Sequence, residues 1–128
     1  MDTQTYETGL AIRKEVVGAD YVERSLAAAD DFSKPLQDLV TQYCWGEVWS
    51  REGVDRRMRS ILNLGMLVAL NRPHELKLHV RGALNNGLTK DEIRELLLQT
   101  AIYCGVPAAL DAFRVAKDVL AETDSRAA

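Results

Sequence analysis

The run Arg72-Pro73-His74-Glu75-Leu76-Lys77-Leu78-His79-Val80-Arg81 holds both histidines of the chain among arginines and a glutamate. At about 100° per residue, Arg72, Glu75 and His79 fall within roughly 60° of one another on a helix. They flank an apolar stripe of Leu76, Val80 and Ala83. Ionisable groups at the edge of a core have pKa values open to tuning by burial and neighbours, which suits proton transfer. His74 falls in the first turn of such a helix, at the positive end that attracts anions. The same spacing also describes a surface helix with one satisfied histidine.

A second group is Tyr43-Cys44-Trp45-Gly46-Glu47-Val48-Trp49-Ser50-Arg51. At helical spacing Tyr43, Cys44, Glu47 and Arg51 share a face with Val40, while Trp45 and Trp49 share another. The pattern fits a glutamate beside an aromatic wall. It fits equally well an exposed Glu47–Arg51 pair, worth about tenths of a kcal/mol, and two packing aromatics. A third group, Asp55-Arg56-Arg57-Met58-Arg59, puts three arginines in four positions. They suit a small dianion or a solvated first turn.

No Cys-x-x-Cys occurs, so neither a dithiol redox centre nor a thiolate zinc site is signalled. His74 and His79 are five apart, not the four of a helical metal-binding pair. Glycine-rich phosphate loops and Gly-x-Ser-x-Gly are missing too. What is left is acid–base and electrostatic chemistry, expected to need no cofactor and no metal.

The elements that must position these groups read as helices throughout. No run alternates polar and apolar residues for long. Helices are expected over about Thr5–Val17, stopped by Gly18, and over about Tyr21–Asp30. A third starts from Ser33 as N-cap with Pro35 in its first turn and reaches Trp49 or Arg51. Asp55 caps a fourth, about Arg56 to Leu70, whose centre Ile61–Leu70 is apolar nearly all round and therefore expected to be surrounded by other helices. Pro73 opens a fifth that runs to Asn85, with Asn86-Gly87 as a left-handed stop. Thr89-Lys90-Asp91-Glu92 is a capping box, and Ile93, Leu96, Leu97, Ala101 and Cys104 form the stripe behind it. Gly105-Val106-Pro107 opens the last helix, with Ala109, Ala112, Phe113, Ala116, Val119 and Leu120 at helical spacing and a frayed tail from Thr123.

The chain has 128 residues, a net charge of −3 and 47% apolar residues. That length suits one domain, large enough to bury a core without a disulfide or metal. The charge lacks the basic excess that a sequence-independent grip on nucleic acid requires. Met1–Thr8 lacks the basic start and apolar core of a signal peptide, and Ile61–Leu70 is too short to cross a bilayer. With Cys44 and Cys104 far apart, a reduced, cytoplasmic setting is expected, with no nucleic acid and no membrane as partner.

Four segments carry a family resemblance: Tyr43-Cys44-Trp45-Gly46-Glu47-Val48-Trp49, Leu70-Asn71-Arg72-Pro73-His74-Glu75-Leu76, His79-Val80-Arg81-Gly82-Ala83-Leu84-Asn85-Asn86-Gly87 and Gln99-Thr100-Ala101-Ile102-Tyr103-Cys104-Gly105-Val106-Pro107-Ala108-Ala109. Together they resemble the carboxymuconolactone decarboxylase family from about Gly9 to Glu122, and its decarboxylase members more than the alkylhydroperoxidase-like proteins of the wider superfamily. Those proteins carry Cys-x-x-Cys-x-x-x-His on the equivalent helix. Here the cysteine positions fall on Arg72 and Glu75 and the histidine on His79, so the dithiol for peroxide reduction is missing. The resemblance implies an all-α fold of AhpD-like type, about six to seven helices in a single domain over residues 1–128, with a core of about 9–122. It also implies a ring-like homo-oligomer, often a hexamer, and a place in the β-ketoadipate route of protocatechuate catabolism.

The implied substrate is 4-carboxymuconolactone, a small dicarboxylate lactone, and the products are β-ketoadipate enol-lactone and carbon dioxide. Electrons freed at the departing carboxylate run through the alkene to the lactone carbonyl, so the substrate is its own electron sink. The protein must hold a dianion, donate hydrogen bonds to the growing oxyanion and return a proton to carbon. Arg72 is the first choice for a carboxylate, followed by Arg51, Arg59 and Arg81, because a guanidinium fork matches that group. His79 leads as acid or oxyanion donor, and His74 is second. Glu47 or Glu75 would orient a histidine or relay the proton. Trp45, Trp49 or the Ile61–Leu70 helix would wall the departing carboxylate away from cations, which would otherwise stabilise the ground state. Two other readings stay open. One is a superfamily peroxidase or peroxide sensor using Cys44 or Cys104. The other is an inactive helical assembly module, packed through Ile61–Leu70 and Ala108–Ala121.

Overall fold

The computed structural model describes the backbone of residues 2–127 and the side chains of residues 2–123. Among these the fold is all-α: seven α-helices, one π-helix and no strand. By its internal contacts the chain divides into two compact units, Met1–Arg56 and Arg57–Ala128.

In the first unit α1 (Thr3–Val17) starts from Asp2, whose carboxylate accepts from the Gln4 and Thr5 amides at 3.0 and 3.3 Å. Its inner face carries Gly9, Ile12, Arg13, Val16 and Val17, the spacing of an amphipathic helix. Gly18 ends it at φ +97° and opens α2 (Ala19–Ala28). Next comes α3 (Lys34–Leu39). Ser33 holds its N-cap position but does not cap it with its side chain, contrary to expectation. The reason is a competing local turn: Asp30 Oδ1 accepts from the amides of Phe32 and Ser33 and from the Ser33 hydroxyl, while Ser33 Oγ accepts from the Asp30 amide.

The helix expected to run on unchanged to Trp49 or Arg51 instead widens at Val40 into a π-helix, Val40–Val48, closed by a bond from the Trp49 amide to the Cys44 carbonyl at 3.0 Å. This nine-residue π segment packs on α1 through two glycines. A Cβ on Gly9 would overlap the Thr41 carbonyl oxygen and lie 2.6 Å from the Gly46 nitrogen, and one on Gly46 would overlap the Thr5 carbonyl oxygen.

In the second unit α4 (Arg56–Ala69), α5 (Pro73–Asn85), α6 (Lys90–Tyr103) and α7 (Val106–Ala127) supply a core of Leu64, Val68, Leu76, Val80, Ile93, Leu97, Ala112 and Val119, among others. Pro73 stands in the first turn of α5, after Asn71 at φ +57°. Gly87 ends the turn after α5 at φ +98°, and the capping box at Thr89–Glu92 is formed. Arg57 straps this corner, reaching the Gly87 carbonyl at 2.6 Å and Glu92 at 2.6 Å. Glu92 is thereby held down at a pKa of about 2.

Two expectations need correction here. Helix α7 continues to Ala127, past the tail start expected at Thr123, whose hydroxyl donates to the Val119 carbonyl. Helix α4 is not surrounded: Ser60, Leu64 and Val68 turn inward, while Met58, Leu62, Met66 and Leu70 form an exposed row at a spacing of four. The chain's own helices cover one side of α4, and its outer apolar row lies on the other.

Candidate functional site

Helix α5 carries His79 on the flank of its buried Leu76–Val80–Ala83 face. The ring is partly buried. Its Nδ1 lies 3.3 Å from the side-chain amide nitrogen of Asn63 on α4. An amide nitrogen only donates, so Nδ1 accepts, and the proton of the neutral ring sits on Nε2. Burial pushes the His79 pKa below its ordinary 6.5, opposed by the charge of Glu75, so the ring is neutral at pH 7. Neutral imidazole with a committed Nδ1 is a hydrogen-bond donor at Nε2, suited to an oxygen on which negative charge grows.

Of the trio read from spacing, Glu75 acts on His79 electrostatically while itself exposed. Arg72 falls outside the helical projection, because it is the N-cap residue at φ −118° and ψ 74°. Its guanidinium folds back towards the Leu70 and Asn71 carbonyls at 3.2 and 3.4 Å and is exposed. His74, in the first turn, is also exposed. Arg81 is already engaged: Glu122 on α7 takes its Nε and Nη2 at 2.8–3.1 Å, with Lys77 at 3.5 Å. The fork that would grip a substrate carboxylate there ties α5 to α7.

The arginine cluster also divides. Arg56 pairs with Glu15 at 2.7 Å and Arg57 with Glu92, so these two brace structure, whereas Arg59 is partly buried on α4. In the first unit Trp45 and Trp49 are both buried with ring centroids 4.7 Å apart and planes at 33°. Glu47 and Arg51 are exposed, Arg51 in the turn beyond the π-helix. Trp49 and Arg51 line one open crevice of about 520 Å³, with Ile12, Glu52, Asp55 and Arg56. A second groove, of about 330 Å³ between α4 and α6, is lined by Ile61, Leu64, Leu96, Leu97, Thr100 and Tyr103 among others. No cation lines it, which makes it a poor host for a dianion.

Two residues escaped the sequence reading. Asn63 orients His79, and its signal was a lone amide inside the apolar run Ile61–Leu70. Arg13 is only 5% exposed and donates to Thr41 Oγ1 at 3.0 Å. Its signal was a charge at a core position, with apolar residues at 12, 16 and 17. The Cys44 thiol is pushed above its ordinary pKa by burial, against the pull of Arg13, so it is not an activated thiolate. Among the described residues no group of His, Cys, Asp or Glu is arranged to hold a metal, and no helix is long and apolar enough to cross a membrane.

An all-α chain with a neutral histidine donor and several arginines is equipped for acid–base chemistry on anions. Residues 34–118 match the carboxymuconolactone decarboxylase family, and the chain belongs to that family. It is 44% identical to a 4-carboxymuconolactone decarboxylase of Acinetobacter baylyi over 92% of this chain and 88% of that protein. It is also 44% identical to a nitrosuccinic acid decarboxylase of Metarhizium robertsii, over 90% of this chain and 80% of that one.

Proposed function

We propose that this protein is a carboxy-lyase that converts 4-carboxymuconolactone to β-ketoadipate enol-lactone and carbon dioxide. The observation that carries the reading is the neutral His79 ring, oriented by Asn63 so that Nε2–H can donate. Cleavage of the carbon–carboxylate bond sends its electron pair through the ring alkene to the lactone carbonyl. A furan-type dienolate results, with the negative charge on that oxygen. A fixed donor there lowers the barrier, and a proton drawn from water then adds to ring carbon. The electron sink belongs to the substrate, and the protein supplies orientation and charge. Arg72 holds the carboxylate that stays, with His74 beside it at the start of α5.

The two decarboxylase relatives share a chemical logic by their names. Nitrosuccinate, like the lactone, is a small dicarboxylate that loses carbon dioxide into an internal sink, here a nitro group. Equal identity to both makes nitrosuccinate the second reading. Purified protein is to be given each compound in turn, with carbon dioxide and the lactone's ultraviolet absorbance followed. Turnover of the lactone with the higher kcat/KM is expected. Turnover of nitrosuccinate alone moves the reading to nitro acids, and turnover of neither sinks it. In the same assay Arg72→Ala should raise KM about tenfold or more with a smaller change in kcat, the loss of a charge-assisted bond. An unchanged kcat/KM removes Arg72 from the site.

The working form is a cytoplasmic homo-oligomer, a hexamer on the family resemblance. Exposed apolar rows support this: Met58, Leu62 and Met66 on α4 with Leu70 just after it, and Leu98 and Ile102 on α6. Sedimentation equilibrium measures the mass, and a monomer at assay concentration contradicts it.

A further inference from the structure

Arg13 is the one buried arginine side chain among the described residues, and nothing in the proposed reaction uses it. Its only hydrogen bond is to a neutral hydroxyl, Thr41 Oγ1, and no carboxylate lies within ion-pair distance of it among the described residues. A guanidinium has five donors and a permanent charge, so one hydroxyl leaves most of its capacity unanswered. Burying such a charge without an anion costs stability, and that cost persists where function needs the charge. The neighbouring Cys44 is not the missing anion, since burial keeps it a thiol. Thr41 itself lies in the π-helix, a geometry found often at functional sites.

We propose that Arg13, held in place by Thr41, is the cation of a carboxylate-binding site in the first unit, and that its ligand is a small mono- or dicarboxylate. The choice of a dicarboxylate rests on the decarboxylase reading, whereas the need for an anion does not. Two sources of this chemistry exist: a carboxylate of the substrate, or a separate small carboxylate such as a product or effector.

Succinate is the probe, with thermal unfolding of the full chain as the readout. At succinate ten times its Kd the wild type should gain about 5 °C in Tm. Arg13→Met should melt higher than the wild type without succinate, because an unanswered buried charge is gone, and should lose the succinate response. Thr41→Val keeps the charge but frees the fork, and should respond more weakly. It also serves as the test should Arg13→Met not fold. Lactone kinetics then separate the sources. A KM raised about tenfold to a hundredfold at steady kcat assigns the substrate's carboxylate. An unchanged KM with the succinate response lost assigns a separate carboxylate. Either supports the site. It is overturned if the wild type gains nothing from succinate, or if both variants respond as the wild type does. It is also overturned if Arg13→Met melts lower and breaks the assembly, which would assign the guanidinium to an intersubunit ion pair. A wild type inert to the lactone defeats the decarboxylase reading and leaves the succinate comparison to stand by itself.

Discussion

Replacing His79 by alanine is expected to lower kcat for the lactone by about 10²–10³-fold, the usual cost of losing one aligned oxyanion donor. Tm should change by only a few degrees, because the ring sits at the edge of the core and is only partly buried. Asn63→Ala provides the finer test. It leaves the imidazole in place but removes the partner that keeps the proton on Nε2. A tenfold loss in kcat with little change in KM is expected, since tautomer and orientation matter most when charge develops. The pH dependence has a definite sign. The folded-state pKa of His79 lies below its ordinary 6.5, so the unfolded chain binds the extra proton first. Stability from this group is therefore full above about 6.5 and is lost as pH falls through the folded-state pKa. Activity should follow the same course, flat at neutral pH and falling on the acid side, because a protonated Nδ1 would face the Asn63 amide donor to donor. If His79→Ala retains turnover within a few-fold, the ring is structural. If activity instead falls as pH drops from 8 to 7, the titration that controls it belongs to a group other than His79.

Much of this arrangement was legible in the residue order. The capping box, Pro73, Gly87 and the Leu76–Val80 stripe act through neighbours within a few positions, so local pattern suffices to place α5 and α6. It also suffices to put His79 at a core edge. Partners distant in sequence were not legible. Asn63 and His79 are sixteen residues apart, and Arg81 and Glu122 forty-one. Nothing in a helical projection of α5 shows that Arg81 is spent on α7 while His79 is held by α4. The π-helix was hidden for another reason. A bond from i to i+5 uses the same residues as one from i to i+4, so no composition announces it. Ser33 shows how a local signal can mislead: its hydroxyl, which would cap α3, is instead spent on Asp30, donating to the carboxylate and accepting from the Asp30 amide.

The largest stability effect is expected at the contact between α1 and the π-helix. Thr41 and Gly46 are five residues apart, the spacing of one π-helical rung, and Gly9 of α1 lies directly over it. An added Cβ at Gly9 would meet the Thr41 carbonyl oxygen, the Gly46 nitrogen at 2.6 Å and the Gly46 Cα at 2.9 Å. All three are backbone atoms, so no rotamer change relieves the overlap, and the two helices must part. Parting them loosens what buries Val16, Val17, Trp45 and the Arg13–Thr41 bond together. Gly9→Ala should therefore cost about 3 kcal/mol or more, at the upper end of overpacking, and lower Tm by about 10 °C. Gly46→Ala should behave alike, since its Cβ would overlap the Thr5 carbonyl oxygen. Gly65 is the control. It lies within α4, and a Cβ there meets nothing within 4 Å. Gly65→Ala should gain about 0.5–1 kcal/mol, the usual return for replacing a helical glycine in open space. Equilibrium urea unfolding of the three variants measures the contrast. Should Gly9→Ala unfold at the wild-type midpoint, the two helices are not locked through their backbones, and the close approach does not hold the first unit together.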